Sequence, residues 1–304
     1  TMRIGVFCSG GDAPGMNPCI RAVVRSALTA RQEIVGIYRG YKGLLGEEFF
    51  LNSEGKRLMH LRSVSNLSKL GGTVLHSNRS NQFRTTRGLK KAARILEKHG
   101  IDALIPIGGD GTFRGAIDLA KHWGGQIVGC PGTIDNDLIG TDYTIGFATA
   151  VQTAVEAVDK LRDTAESHDR MFLVEVMGRH SGYIALYTAL AAGAEVVCLP
   201  ETPTDVRQIL RELRSLKRRG KKSIMVVVAE GDEHGGAVKL NEDLIAANCP
   251  FPTRVVTLGH LQRGGTPAPA DRILGTCLGD FAVRALRDGQ TGVMAGQIHG
   301  DLVL

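Results

Sequence analysis

Three short segments of this chain hold residue types at spacings suited to chemistry on phosphates. Ile107-Gly108-Gly109-Asp110-Gly111-Thr112 leaves an apolar run and opens a helical pattern carrying Ala116, Ile117 and Leu119. Glycines let the backbone approach a phosphate chain closely, and free N–H groups at a helix start favour anions. A carboxylate in their midst fits a magnesium-bound phosphate, because the ion bridges carboxylate and phosphate oxygens. A tight strand-to-helix turn capped by Thr112 explains the same residues without a ligand. Ser9-Gly10-Gly11-Asp12-Ala13-Pro14-Gly15 is a second glycine turn, weaker taken alone. Pro131-Gly132-Thr133-Ile134-Asp135-Asn136-Asp137 follows another apolar run and offers two carboxylates, an amide and a hydroxyl. One such Asp can accept a hydroxyl proton while the other contacts metal or positions its neighbours. An Asx-rich turn explains Asp-Asn-Asp equally.

Short apolar β-branched runs alternate with helical patterns, which predicts parallel sheets covered by helices. Strands are expected at 3–8, 33–38, 103–107 and 126–130. A helix is expected from Asn17 as N-cap with Pro18 at its first position, and another over 87–98. From Phe147 the alternation restarts. Helices are expected at 148–166, 182–192 and 204–218, and strands at 171–176, 195–199 and 223–229. Two series of this length predict two α/β domains with a cleft between them. Two glycine loops in one sheet suggest a polyphosphate along the C-terminal edge of its strands.

Composition narrows the classes. The 304 residues are 43% hydrophobic and 22% charged, too apolar for a disordered chain. No apolar run is long enough to cross a bilayer, and no signal peptide is visible. The six cysteines are scattered singly, which argues against zinc and disulfides and fits a reducing cytoplasm. The net charge of +6 could mean nucleic acid, but the arginines are isolated and no aromatics are interleaved for stacking. The one dense run, Lys217-Arg218-Arg219-Gly220-Lys221-Lys222, sits where a helix hands over to a strand and suits a solvated helix end. Neither nucleic acid nor membrane is expected as a partner.

Taken together, residues 131–143, Val174-Glu175-Val176-Met177-Gly178-Arg179 and Gly259-His260-Leu261-Gln262-Arg263-Gly264-Gly265-Thr266-Pro267 resemble the bacterial 6-phosphofructokinases. With 10–17 and 108–112 the likeness runs almost from end to end. The resemblance implies two Rossmann-like three-layer α/β/α domains in the phosphofructokinase fold. Residues 1–146 with 259–304 would form the larger, ATP-binding domain, and 147–258 the smaller, fructose 6-phosphate-binding domain. It implies transfer of the γ-phosphoryl of ATP to the sugar 1-hydroxyl, with Mg²⁺ held by Asp110. Asp135 would be the general base, with Thr133 beside it and Arg79 and Arg179 near the transferring phosphoryl. Gly11, Tyr41, Ser80 and Gly109–Thr112 would line ATP, Tyr41 near the adenine. Asp137, Arg170, Met177, Gly178, Glu230, Arg254, His260 and Arg263 would surround the sugar phosphate. Arg170 and Arg254 would reach it from a second subunit, implying at least a dimer and, by family habit, a homotetramer.

The resemblance also implies an effector pocket for ADP and phosphoenolpyruvate, built from Arg21, Arg25, Arg162, Gly193, Glu195, Arg219 and Lys221. Leu61 and Ser223 stand where relatives often have arginine and histidine, so altered strength is expected. Two other readings stay open. Pyrophosphate-dependent relatives usually carry Asp where this chain has Gly111 and Lys where it has Gly132, which favours ATP here. A non-catalytic nucleotide- or sugar-phosphate-sensing paralogue would tend to lose Asp135, Asp110, Thr133 and Arg179, and all are present.

Overall fold

The apolar runs become strands that are buried along nearly their whole length, as parallel strands covered on both faces must be. The computed structural model describes residues 1–304. Along the chain, β1 (Arg3–Cys8), α1 (Met16–Thr29), β2 (Glu33–Gly36), α2 (Gly40–Leu45), α3 (Thr86–Lys98), β3 (Ala103–Gly108), α4 (Asp110–Ala120), β4 (Gln126–Thr133) and β5 (Ile145–Gly146) come first. Then follow α5 (Phe147–His168), β6 (Met171–Val176), α6 (Tyr183–Ala192), β7 (Val196–Cys198), α7 (Val206–Arg218), β8 (Ile224–Ala229), α8 (Gly236–Ala246) and β9 (Thr253–Thr257). α9 (Pro269–Arg287), β10 (Val293–Met294), β11 (Gly296–Ile298) and β12 (Asp301–Val303) close the chain.

Two compact units result. The first comprises Thr1–Thr133, Asp137–Gly146 and Arg263–Leu304, and the second Ile134–Asn136 with Phe147–Gln262. The first unit holds a parallel sheet in the order β10-β4-β3-β1-β2, with β5 beside β4, and β11 and β12 pair antiparallel. The second holds a four-stranded parallel sheet, β7-β8-β6-β9. The chain is thus an α/β protein of parallel sheets, as its alternation predicts. No helix is long and apolar enough to cross a membrane.

One expected helix start moves. Gly15 takes the left-handed conformation at φ 116°, so α1 begins at Met16 rather than after an Asn17 cap. The Asn17 side chain is buried instead and clamps a neighbouring loop. Its Nδ2 donates to the carbonyls of Leu70 (3.1 Å) and Gly71 (3.2 Å), and its Oδ1 accepts from Val74 N at 2.7 Å. β2 ends at Gly36, short of the expected residue 38; Ile37 still donates to the Val6 carbonyl at 2.9 Å and also bridges Phe49.

Candidate active site

β1 and β3 are neighbours, with Cys8 opposite Ile107, so the two glycine loops leave the sheet side by side at its C-terminal edge. Ser9 N donates to the Ile107 carbonyl at 3.1 Å, and the Thr112 hydroxyl returns the link by donating to the Ser9 carbonyl, also at 3.1 Å. The Ser77 hydroxyl donates to the carbonyl of Gly10. Gly109, not Thr112, flanks the start of α4, which leaves Thr112 free to tie one loop to the other.

Tyr41, expected near the adenine, is nearly buried. Its ring is 5% exposed, stacked on Phe83 at 3.9 Å and edge-on to Phe7 at 4.9 Å. Its hydroxyl donates to the Thr112 carbonyl at 2.7 Å, and burial pushes that hydroxyl's pKa well up. Tyr41 therefore braces the Asp110–Thr112 turn from beneath.

Space around the loop glycines is uneven. A Cβ on Gly11 would stand 2.8 Å from the Arg263 guanidinium, so Arg263 lies against the Gly11 loop. A Cβ on Gly111 would meet nothing within 4 Å, whereas one on Gly132 would press on Ile107 at 2.9 Å and Met16 at 3.1 Å. Asp110 opens α4 as its only first-turn acid, and its carboxylate is 54% exposed with Arg114 Nε at 2.8 Å. No group of three His, Cys, Asp or Glu is arranged as a metal cage. A lone exposed carboxylate at a glycine turn nonetheless fits Mg²⁺, which is commonly held by one or two carboxylates together with substrate phosphates. Arg79 is exposed, its own N–H donating to Asn78 Oδ1 at 2.8 Å, while Ser80 Oγ accepts from Phe83 N at 3.2 Å.

β4 delivers the acidic segment. Thr133 ends the strand, packs against Gly109 (3.6 Å from a Cβ placed there), and its carbonyl accepts from the Thr144 hydroxyl at 2.6 Å. Two residues on, Asp135 is half-buried and Asp137 exposed. Between them buried Asn136 adopts a left-handed φ of 52°, which its short polar side chain tolerates. The turn thus gives two nearby carboxylates different surroundings, and Asp135 is the more enclosed.

In the second unit, Met177, Gly178 and Arg179 follow β6, Glu230 follows β8, and His260 follows β9. Glu230 Oε1 accepts from Gly178 N (3.2 Å) and Arg179 N (2.8 Å). Arg179 is held at φ 56°, a left-handed state uncommon for its type. Gln262, absent from the expected site residues, is fully buried and its Oε1 accepts from Met177 N at 2.8 Å. Arg170 precedes β6, and Arg254 lies near the start of β9 opposite Phe172. These two arginines sit at the N-terminal end of the sheet, roughly 20 Å along β6 from Met177. One copy of this chain does not bring them to the residues after the strands.

Of the expected effector residues, four converge. Glu195 is nearly enclosed and faces Lys221 Nζ at 2.8 Å and Arg162 at 3.4 Å; Arg162 also donates to the carbonyls of Ala192 (3.0 Å) and Gly193 (2.9 Å). Arg21 and Arg25 lie on α1 in the first unit.

Comparison with known proteins follows the same lines. The family model described as Phosphofructokinase matches residues 3–286. The chain is 52% identical over 302 residues to ATP-dependent 6-phosphofructokinase 1 of Thermus thermophilus, covering 99% of this chain and 91% of that one. Identity to the ATP-dependent 6-phosphofructokinase of Bacillus subtilis is 46% over 301 residues, again covering 99% and 91%. Among solved structures, phosphofructokinase from Saccharomyces cerevisiae superposes with a TM-score of 0.90 at 34% identity, covering all of this chain and 44% of that one. A pyrophosphate-dependent phosphofructokinase from Marinobacter aquaeolei shares the fold at TM-score 0.84 and 22% identity, covering 99% of this chain and 80% of that one.

Proposed function

The chain belongs to the phosphofructokinase family, and from that premise we propose that it transfers the γ-phosphoryl of ATP to the 1-hydroxyl of fructose 6-phosphate. ADP and fructose 1,6-bisphosphate are the products. The observation that supports ATP over pyrophosphate is the open space at Gly111, where an added side chain would occupy the path beside the loop.

We assign the triphosphate to the loops at Gly11 and Gly109–Thr112, whose amides and glycines suit close approach of an anion. Asp110 would hold the Mg²⁺ ion, whose charge offsets that of the phosphates. Asp135 accepts the proton of the attacking hydroxyl, and Thr133 orients the segment beside it. An ordinary Asp is ionised at neutral pH and ready for that role. Arg79 and Arg179 stabilise charge on the phosphoryl in flight. Since phosphoryl transfer depends mostly on positioning and electrostatics, such a set is sufficient.

The sugar phosphate is assigned to Met177, Gly178, Glu230, Asp137, His260 and Arg263, completed by Arg170 and Arg254 of a second copy. Their position at the opposite strand ends supports that division and hence an oligomer, a tetramer by family habit. ADP and phosphoenolpyruvate are the proposed effectors at Glu195, Arg162, Gly193, Arg219 and Lys221, with Arg21 and Arg25 of another copy. The six free thiols suit a cytoplasmic enzyme.

The test is a coupled assay of ADP formation. ADP release should require fructose 6-phosphate, and pyrophosphate should not replace ATP. Release without the sugar phosphate, or turnover with pyrophosphate alone, contradicts the reading.

A further inference from the structure

A separate cavity of about 610 Å³ opens at the other end of the first unit's sheet, within the size range of small-molecule sites. Arg3 at the start of β1 and Gly100 just before β3 line it. The phosphate loops leave the far ends of those strands, roughly 20 Å away along a six-residue strand.

Its wall has two characters. Val35, Phe49 and Leu58 form an apolar side, the first two nearly buried, and Arg3, Lys56, Arg57 and Lys98 form a charged one that also holds the carboxylate of Glu97. Three of those cations already face a carboxylate: Arg3 faces Glu33 at 2.7 Å, Lys56 faces Glu54 at 2.9 Å, and Lys98 faces Glu47 at 2.9 Å. Arg57 faces none. Its guanidinium lies 5.3 Å from the centre of the Phe49 ring and donates to His99 Nδ1 at 2.8 Å. Because a guanidinium has only donors, Nδ1 accepts, and the imidazole proton sits on Nε2, donating to Glu47 at 2.6 Å. Arg57 is therefore held at the cavity wall by a ring face and an imidazole, with no carboxylate in ion-pair contact.

We propose that this pocket is a second ligand site, for a small organic molecule with an oxyanion head and an apolar body. The head, a phosphate monoester or a carboxylate, pairs with Arg57 and Lys56. The body lies on Val35, Phe49 and Leu58. The exposed ion pair of Lys56 contributes little by itself, so that side chain can turn to a ligand at small cost. The site is independent of the phosphotransfer reading, because none of its residues belongs to the assigned catalytic or effector sets.

The test uses the intact protein and methyl NMR signals of Val35 and Leu58, titrated with phenyl phosphate, phenylacetate and inorganic phosphate. Phenyl phosphate or phenylacetate should shift both signals saturably, and whichever binds more tightly identifies the head. Inorganic phosphate alone should bind at least about tenfold more weakly, lacking the body. Arg57→Glu should weaken binding at least about tenfold with unchanged turnover. Lys56→Glu, at an exposed position, provides the same comparison if the first variant is unstable. Unmoved signals in the wild type overturn the proposal, as does equal binding by both folded variants.

Discussion

The Tyr41 hydroxyl donates to the Thr112 carbonyl at 2.7 Å, and the Thr112 hydroxyl donates onward to Ser9, so a buried phenol braces both glycine loops. Tyr41→Phe keeps the ring stack with Phe83 and removes only this bond. We expect a loss of about 0.5–1.5 kcal/mol in unfolding free energy, the net value of a typical protein hydrogen bond. Looser loops should weaken ATP binding in ground and transition states alike, so KM for ATP rises while kcat holds. Thermal melts and steady-state kinetics check both; an unchanged KM would show that the brace serves stability alone.

Gly111 and Gly132 make a paired test of donor choice. Gly111→Asp meets nothing within 4 Å of its Cβ, so the fold should keep its melting temperature while ATP turnover falls. Gly132→Lys presses at once on Ile107 and Met16 and should destabilise by roughly 1–3 kcal/mol, the usual cost of overpacking. Equal melting behaviour of the two variants would contradict the steric account.

The strand-end separation of Arg170 and Arg254 from Met177 predicts complementation between subunits. Arg170→Ala and Asp135→Asn should each be nearly inactive alone. Unfolded and refolded together, they should regain measurable activity, because a mixed oligomer can assemble one intact site from two copies. Mixtures no more active than their parts would argue that each chain completes its own site.

Glu47 gives a prediction in acid. Lys98 first, and His99 after it, lower its pKa from 4.5 to about 2. A carboxylate lowered in the folded state contributes stability above its unfolded pKa and loses it as pH falls through the folded one. Glu47→Gln should therefore destabilise the protein fully above pH 4.5, with the difference closing toward pH 2. Melting curves at several pH values read this directly; a constant difference would contradict it.

Much of the fold and of the site is legible in the order of residues alone. The Gly-Gly-Asp-Gly-Thr turn, the Asp135–Asp137 segment and the strand that precedes each are where periodicity and turn chemistry put them, because parallel strands are continuous apolar runs ending at polar loops. Less legible are residues whose importance lies in long-range hydrogen bonds. Asn17 reads as a helix cap until Gly15 turns the chain earlier. Tyr41 reads as a ring near the adenine, and nothing around it in the chain shows that it packs on Phe7 and Phe83 and bonds the Thr112 carbonyl. Gln262 is silent in a motif of stronger groups, although it anchors Met177. Propensity and spacing see only neighbours along the chain, and each of these roles joins segments far apart in it.

The central claim, that Asp135 takes the proton of the attacking hydroxyl, is tested most directly by Asp135→Asn. The amide keeps the shape of the side chain and cannot act as the base. Turnover should fall about 10²–10⁴-fold, the usual contribution of general base catalysis. Affinities for ATP and fructose 6-phosphate, measured by calorimetry on the same preparation, should stay close to those of the unaltered protein. Unchanged turnover, or lost binding with turnover preserved at saturation, would contradict the account.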